Sequence, residues 1–415
     1  MVRADRSEAK NIAMENLRTL DDIDVEGKTV LVRADLNVPM EDLNMTDGLR
    51  IERLAPTLRE LLAAGARVVV LSHFGRPKGK FQAALSLRRV REVLGTALGR
   101  PPIPFSDTCI GTAAKEAVGN LEPGEIILME NLRFHEGEEG NDPSFAAALA
   151  ELGDIYINEA FSCSHRAHAS IEGITHFLPS VAGRGMEAEL TALRKALDAP
   201  QKPVAAIVGG SKVSTKLGAL TNLVAKVQFL VIGGGMANTF LYARGVEIGK
   251  SLCEPGLATT AREVEAAAVA AGCEIILPDD AVVARELRPN VANTTVDIAN
   301  VPSDAMILDV GSKTVARLVD ILGGCRTVVW NGPLGAFETP PFQSGTVAVA
   351  QAVAALTRDG TLLSVAGGGD TMAALAQAQV DTDFSYISAA GGAFLEWLEG
   401  KALPGVEALV RSAAA

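Results

Sequence analysis

Short runs rich in β-branched residues, several of them such as VVVL and IIL apolar at every position, recur along the chain at residues 30–32, 68–71, 126–129, 155–157, 204–208, 230–232, 275–277, 307–310, 328–330, 362–365 and 386–388. Alanine- and leucine-rich stretches of helical length separate most of them. A strand without polar alternation has both faces buried, and strands alternating with helices make parallel sheets covered on each side. The predicted class is therefore α/β, with doubly wound, Rossmann-like parallel sheets. A length of 415 residues exceeds what one hydrophobic core serves, so two domains with a cleft are expected. In MEAELTALRKALDA, residues 186–199, Leu190, Leu193 and Leu197 fall at helical spacing, Arg194 and Lys195 sit near the end, and Pro200 and Pro203 bar continuation. This segment is predicted to be the helix joining the two domains; periodicity alone suits a surface helix inside one domain equally well.

Formal net charge is −12, from 38 basic and 50 acidic side chains, which argues against nucleic acid or an anionic membrane as partner. The five cysteines, Cys109, Cys163, Cys253, Cys273 and Cys325, are odd in number and lack CxxC spacing, so neither a disulfide framework nor a zinc site is expected, and a reducing cytoplasm fits. The opening MVRADRSEAKNIAM has no apolar core of signal-peptide length, and no later run reaches the roughly 20 apolar residues of a spanning helix. These first residues read as a polar extension, with Met14 a candidate alternative start.

In the first half, polar clusters stand where strands end: VLVRADLNVP (residues 30–39), SHFGRP (72–77), ENLRFH (130–135) and NEAFSCSHRAHAS (158–170). Open parallel sheets bind ligands at the carboxyl ends of their strands, so Asp35, Asn37, His73, Arg76, Arg133, His165 and Arg166 are aimed at one edge. Arg50, in TDGLR ahead of a helical pattern, joins them from a loop. A single arginine there would read as an ion pair; several after successive strands make a basic crevice, because a guanidinium fork grips phosphate or carboxylate bidentately. His135 and His176 are assigned structural roles.

The second half carries glycines: VGGSKVSTK (208–216), IGGGMANTF (232–240), WNGPLGAFE (330–338) and AGGGDTMAAL (366–375). In the last, Gly367, Gly368 and Gly369 let backbone N–H groups approach an anion, Asp370 can hold a cation, and Thr371 opens a helix with a partly positive end. Lys212 and Lys216, four apart, would share a face if helical and neutralise successive phosphates. Neither GxxxxGK[ST] nor GxGxxG occurs, which excludes a Walker loop and counts against a dinucleotide fold. The glycines after Ile232 suit close helix–sheet packing as well as a ligand floor.

Together RADLNVP, SHFGRP, ENLRFH, HRAH, GGSKVSTK, GGGMANTF, WNGPLGAFE, GGGDT and EGKALPGVEAL resemble the phosphoglycerate kinase family in order and spacing, from about Leu17 onward. The resemblance implies a 3-phosphoglycerate domain at 1–185, a nucleotide domain at 186–400, and a C-terminal segment, 401–415, that returns to the first. It implies that Asp35, Asn37, Arg50, His73, Phe74, Gly75, Arg76, Arg133, His165 and Arg166 bind 3-phosphoglycerate. For ATP or ADP it implies Gly210, Ser211, Lys212 and Lys216 at the phosphates, Gly234 and Gly235 near the base, Asn331 and Pro333 in the pocket, and Glu338 on the ribose. Gly368, Gly369, Asp370 and Thr371 complete that set, Asp370 through Mg2+.

The implied reaction moves a phosphoryl group between ATP and the carboxylate of 3-phosphoglycerate. A carboxylate is already an anion and needs no general base, so the task is electrostatic: Lys212, Lys216, Arg50 and Mg2+ neutralise charge while Gly368, Gly369 and Gly391 offer N–H donors. Substrates on separate domains imply hinge closure, and a monomer is expected. Cys163 with Ser164, Ala389 with Ala390, and Asp279 depart from the family's usual residues without touching a proposed cation. Competing readings are another two-domain nucleotide-dependent transferase, a dehydrogenase, and a non-enzymatic scaffold; the last predicts losses among the charged residues that do not occur.

Overall fold

The computed structural model of the chain describes residues 17–37, 40–41, 44–45 and 49–414. The polar extension with Met14, and residues 38, 39 and 46–48 of the motifs around Asn37 and Arg50, lie outside the described residues. The chain forms two compact units, Met1–Leu190 with Ala402–Ala415, and Thr191–Lys401. The division falls inside the helix Arg184–Leu193, which a π-helical turn, Arg194–Asp198, ends ahead of Pro200.

The first unit contains β1 (Thr29–Arg33), a hairpin of β2 (Met40–Glu41) and β3 (Asn44–Met45), then β4 (Arg67–Leu71), β5 (Phe105–Ser106), β6 (Ile126–Met129), β7 (Ile155–Asn158) and β8 (Ser180–Ala182). Six of these form a parallel sheet in the order β5-β6-β4-β1-β7-β8. Both faces are covered, which is why the runs do not alternate. Val30, Val32, Val68 and Val70 pack beneath Leu54, Leu58 and Leu61 of the helix Leu49–Ala63, whereas Leu31, Val69 and Leu71 face Phe145 and Leu149 of the helix Pro143–Ala150. The C-terminal helix Pro404–Ala414 belongs to this unit and packs on β8, where the Ser180 N–H donates to Ser412 Oγ at 3.1 Å.

The second unit contains β9 (Val204–Val208), β10 (Phe229–Ile232), β11 (Glu274–Ile276), β12 (Asp280–Ala284), β13 (Asn293–Asp297), β14 (Met306–Val310), β15 (Thr327–Asn331), β16 (Leu363–Gly367) and β17 (Tyr386–Ser388). Its parallel sheet runs β11-β10-β9-β15-β16-β17, so the chain winds outward from β9 in one direction and then from β15 in the other. The run at 307–310, expected among the parallel strands, instead lies in a separate antiparallel sheet, β13-β12-β14. The reason is connection length: residues 285–292 and 298–305 are too short for the crossover of about a dozen residues that a parallel neighbour requires. Of the strands missing from those runs, β5 and β8 are short and β13, NTTVD, is polar, whereas β12, DAVVA, carries an apolar stretch that the reading of the sequence passed over.

The carboxyls of Asp309 and Glu159 form no ion pair among the described residues and are shifted by their surroundings. Asp309 in β14 accepts from the Val310 N–H at 2.9 Å and the Gly345 N–H at 2.7 Å, at the start of the helix Ser344–Arg358. Glu159, after β7, accepts from the N–H groups of Gly185 and Met186, each at 3.1 Å, and from the Thr57 hydroxyl. Burial pushes each up to about 7. Both folded values lie above the ordinary ones of 3.8 and 4.5, so their stabilisation is full below the ordinary carboxylate range and is lost as pH rises through about 7. Urea unfolding midpoints should accordingly fall between about pH 4.5 and 7.5, and Asp309→Asn should flatten part of that slope; a variant with the wild-type slope would show that Asp309 is ionised throughout.

Candidate active site

In each parallel sheet two adjacent strands send their following segments in opposite directions, and the crevice at their carboxyl ends is where an open α/β sheet takes a ligand. In the first unit these strands are β1 and β7, with β4 beside β1. Residues 34–37, 72–76 and 159–166 emerge there, joined by 131–133 after β6. Asp35 pairs with Arg50 at 2.8 Å, and Arg50 also donates to the Asn37 carbonyl at 2.8 Å. Arg50 itself stands in the first turn of the helix Leu49–Ala63 rather than in a loop, so helical backbone sets its position. Asn37 Oδ1 accepts from the Gly75 N–H at 2.9 Å, the Ser162 hydroxyl donates to Asp35, and Arg133 donates to the Gly75 carbonyl at 2.8 Å. Asn131 Nδ2 holds the Phe74 carbonyl at 2.7 Å, which fixes the 72–76 segment from behind. Gly75 has φ of 62°, a conformation that favours glycine.

His73 lies at the centre, buried, and its pKa is lowered well below the usual histidine range by desolvation and then by Arg33, Arg133, His168 and Arg50. Burial also lowers Arg133. Arg166 Nε donates to His165 Nε2 at 3.0 Å, and Arg76 is exposed. Asp35, His73 and Cys163 place an oxygen, a nitrogen and a sulfur within 4.8 Å of one another. Those donors are already engaged, His73 Nδ1 by Arg33 at 3.2 Å and Asp35 by Arg50 and Ser162, and the surrounding guanidinium groups oppose a cation. The crevice is built for an anion.

In the second unit the reversal falls between β9 and β15. Here main chain meets main chain. A Cβ on Gly209 would lie 1.8 Å from the Pro333 carbonyl oxygen, and one on Gly332, whose φ is 103°, 2.2 Å from that of Gly209. Gly234 and Gly235 begin the helix Gly234–Ala243 against Gly210 and Ser211: the Met236 N–H donates to the Gly210 carbonyl at 3.1 Å, and a Cβ on Gly235 would lie 2.6 Å from the Ser211 oxygen. Gly209→Ala, which no rotamer change can relieve, should lower the melting temperature; a wild-type value would mean that β9 and β15 can part freely.

Beside this floor, Gly368 (φ 101°) precedes the helix Gly369–Gln377, and the helix Gly391–Leu398 begins so close that a Cβ on Gly391 would be 3.9 Å from the Gly368 Cα. Two helix N-termini thus converge, and their free N–H groups and dipoles favour negative charge between them. Asn331 Nδ2 donates to the Gly367 carbonyl at 2.7 Å, and Thr371 Oγ1 accepts from the Gly332 N–H at 2.7 Å while donating to the Gly367 carbonyl at 2.8 Å. Thr371 is therefore the third residue of its helix and ties the glycine bend to the end of β15, instead of opening the helix as its sequence suggests. Asp370 and Glu338 are exposed, and Pro333 is buried.

Lys212 and Lys216 do not share a helical face. Lys212 is extended and exposed, a 3-10 turn covers Val213–Thr215, and Lys216 folds back so that its Nζ donates to the carbonyls of Gly209 at 2.6 Å and Asn331 at 3.0 Å. Burial lowers Lys216 to about 8, with nearby Asp370 opposing the shift. Helical spacing fails here because Lys212 is itself extended, a 3-10 turn separates the two lysines, and the α-helix begins only at Leu217.

The family model for phosphoglycerate kinase matches residues 20–401. The chain belongs to the phosphoglycerate kinase family. It is 61% identical over 397 residues to the phosphoglycerate kinase of Methylorubrum extorquens, covering 95% of this chain and 99% of that one, and 59% identical over 392 residues to that of Rhodospirillum centenum, covering 94% and 99%. The solved phosphoglycerate kinase of Coxiella burnetii superposes with a TM-score of 0.89 at 42% identity, over 96% of this chain and 100% of that one. The chain is thus an enzyme, a phosphotransferase of glycolysis with phosphoglycerate kinase activity, on two parallel-sheet α/β units. Among the described residues no helix is long and apolar enough to cross a membrane.

Sequence reasoning left out Arg33, Glu138, Ser162 and Ser170, which surround His73 and Asp35. One signal was available for Arg33: a charged residue ending the apolar run VLVR has to be satisfied inside the fold.

Proposed function

We propose that the basic crevice of the first unit binds 3-phosphoglycerate through Asp35, Asn37, Arg50, His73, Phe74, Gly75, Arg76, Arg133, His165 and Arg166. The glycine-floored crevice of the second takes ATP or ADP through Gly210, Ser211, Lys212, Lys216, Gly234, Gly235, Asn331, Pro333, Glu338 and Gly368–Thr371. Residues 1–185 then serve the acid and 186–400 the nucleotide, with 401–415 completing the first. The observation that carries this assignment is the convergence of the Gly368 and Gly391 helix starts beside Lys216, since polyphosphate is the ligand that such dipoles and an ammonium fit.

Asp370 supports a magnesium site: it is an exposed carboxylate with no ion pair among the described residues, in the first turn of the Gly369–Gln377 helix. One carboxylate plus substrate phosphates is the donor set that Mg2+ accepts. Bound there, the ion would neutralise phosphate charge. The chain's own groups do the rest. Lys216 exchanges two carbonyl oxygens for phosphate oxygens, Arg50 reaches the transferring group from its helical turn, and the N–H groups at Gly368, Gly369 and Gly391 receive the charge that develops. Because the acceptor carboxylate is anionic at neutral pH, His73 and His165 bind and orient without moving a proton. Ligands held on different units must be brought together for transfer, and excluding water then protects the acyl phosphate.

Coupled detection of ADP should show turnover that requires 3-phosphoglycerate, ATP and Mg2+ together. ATP consumption without the acid would overturn the assignment of the first crevice, and Asp370→Asn with unaltered Mg2+ dependence would overturn the metal site. The working form is a cytoplasmic monomer, which light scattering of the purified chain tests.

A further inference from the structure

We propose that Glu138, Ser170 and Arg33 form a buried chain that holds His73 as its Nε2–H tautomer, so that the ring meets the acid as a neutral hydrogen-bond donor. The inference rests on the assignment of His73 to the 3-phosphoglycerate crevice.

The side chains of Arg33 and Glu138 have no exposure to solvent. Every link between them and His73 has only one possible direction. A guanidinium can only donate. Arg33 Nε donates to Ser170 Oγ at 2.7 Å, so the hydroxyl spends a lone pair on Arg33 and its proton on Glu138 Oε1, 2.6 Å away. The Ser170 N–H donates to the other carboxylate oxygen at 3.0 Å, and the buried Tyr156 hydroxyl donates to the Ser170 carbonyl at 2.7 Å, so Ser170 has no freedom to turn. Arg33 Nη1 is used on the Ala34 carbonyl, and Nη2 lies 3.9 Å from Glu138 and 3.2 Å from His73 Nδ1.

Since Nη2 carries only protons, His73 Nδ1 must present its lone pair, and the ring proton sits on Nε2. The Cys163 thiol, 3.9 Å from the same nitrogen and kept protonated by burial, brings no negative charge there. His168, 3.8 Å from Glu138, is lowered to about 3 by burial, Arg133 and Arg33, so it brings no competing cation. The opposite tautomer would turn a lone pair toward an anionic substrate and set two donors against each other inside. Removing Glu138 would leave Arg33 buried without its counter-charge and free to leave Nδ1. Arg33 and Glu138 are thus positioning residues that act on substrate through His73.

Long-range proton–nitrogen correlation spectra of the whole chain read the tautomer directly, with His73 assigned by its loss in His73→Gln. The expected result at neutral pH is an unprotonated Nδ1 and a protonated Nε2; a protonated Nδ1, or an imidazolium, overturns the chain. Glu138→Gln and Arg33→Lys should mix the two tautomers and raise KM for 3-phosphoglycerate about ten- to hundredfold while leaving KM for ATP in place. Ser170→Ala, which removes only the bridging hydroxyl, should move both readouts the same way by less. Variants that fold, shown by unchanged KM for ATP, yet keep the wild-type spectrum and acid KM overturn the proposal. His73→Gln, with an amide near Nε2, should raise the acid KM severalfold less than His73→Asn, with its amide near Nδ1. If both leave that KM unchanged, the premise about His73 fails even where the spectrum agrees, and the two failures are told apart.

Discussion

Arg50→Gln should reduce kcat by about a hundred- to a thousandfold while the dissociation constant for 3-phosphoglycerate changes by less than about threefold. Arg50 is already charge-paired at rest, through one nitrogen, with Asp35 and the Asn37 carbonyl, and it is anchored in the first turn of a helix whose apolar face is locked into the core. A cation so held loses little freedom when the transferring group arrives, so its charge acts mainly on the transition state. In the proposed assignment, the acid in its ground state would still be held by His73, Arg133 and Arg166. Stopped-flow turnover set beside equilibrium binding tests the division: kcat and affinity falling in parallel would make Arg50 an ordinary binding residue.

Lys216→Met should cost about a hundred- to a thousandfold in kcat, with a melting temperature that does not fall and is expected to rise. The ammonium is held in a place that disfavours its charge, with a folded pKa of about 8 against an ordinary 10.5. A lysine depressed in this way contributes stability above its ordinary pKa, and that contribution is lost as pH falls through about 8, so at neutral pH the group is a burden on the fold. The same shift sets the expected pH profile of the free enzyme: kcat/KM should decline as pH rises through about 8, because the cation proposed to meet the phosphates is being lost. A profile flat to pH 10, or a Lys216→Met variant that melts well below wild type, would mean that the amine is structural.

Much of the α/β class was legible because burial on both faces leaves a direct mark: Val30, Leu31 and Val32 are all apolar since alternate side chains enter opposite cores. The strand β13 left no such mark, because it is mostly exposed and polar residues tolerate that position. Motif spacing likewise located Asp35, Asn37, His73 and Arg133 at strand ends, where sheet geometry brings them together. It could not show that Lys216 turns back onto carbonyls, since that depends on how β9 and β15 lie side by side.

What the amino-acid order determined alone was the alternation of strand and helix, the placing of glycines where main chain must touch main chain, and the family. These follow from local sterics and burial, which act residue by residue. Only the tertiary structure decided which charges are answered and by whom. Arg33 meets Ser170 across 137 positions of chain and His73 across 40, and no local property of VLVR names those partners. Pairing of buried charge is a long-range matter, settled when the sheet closes over it.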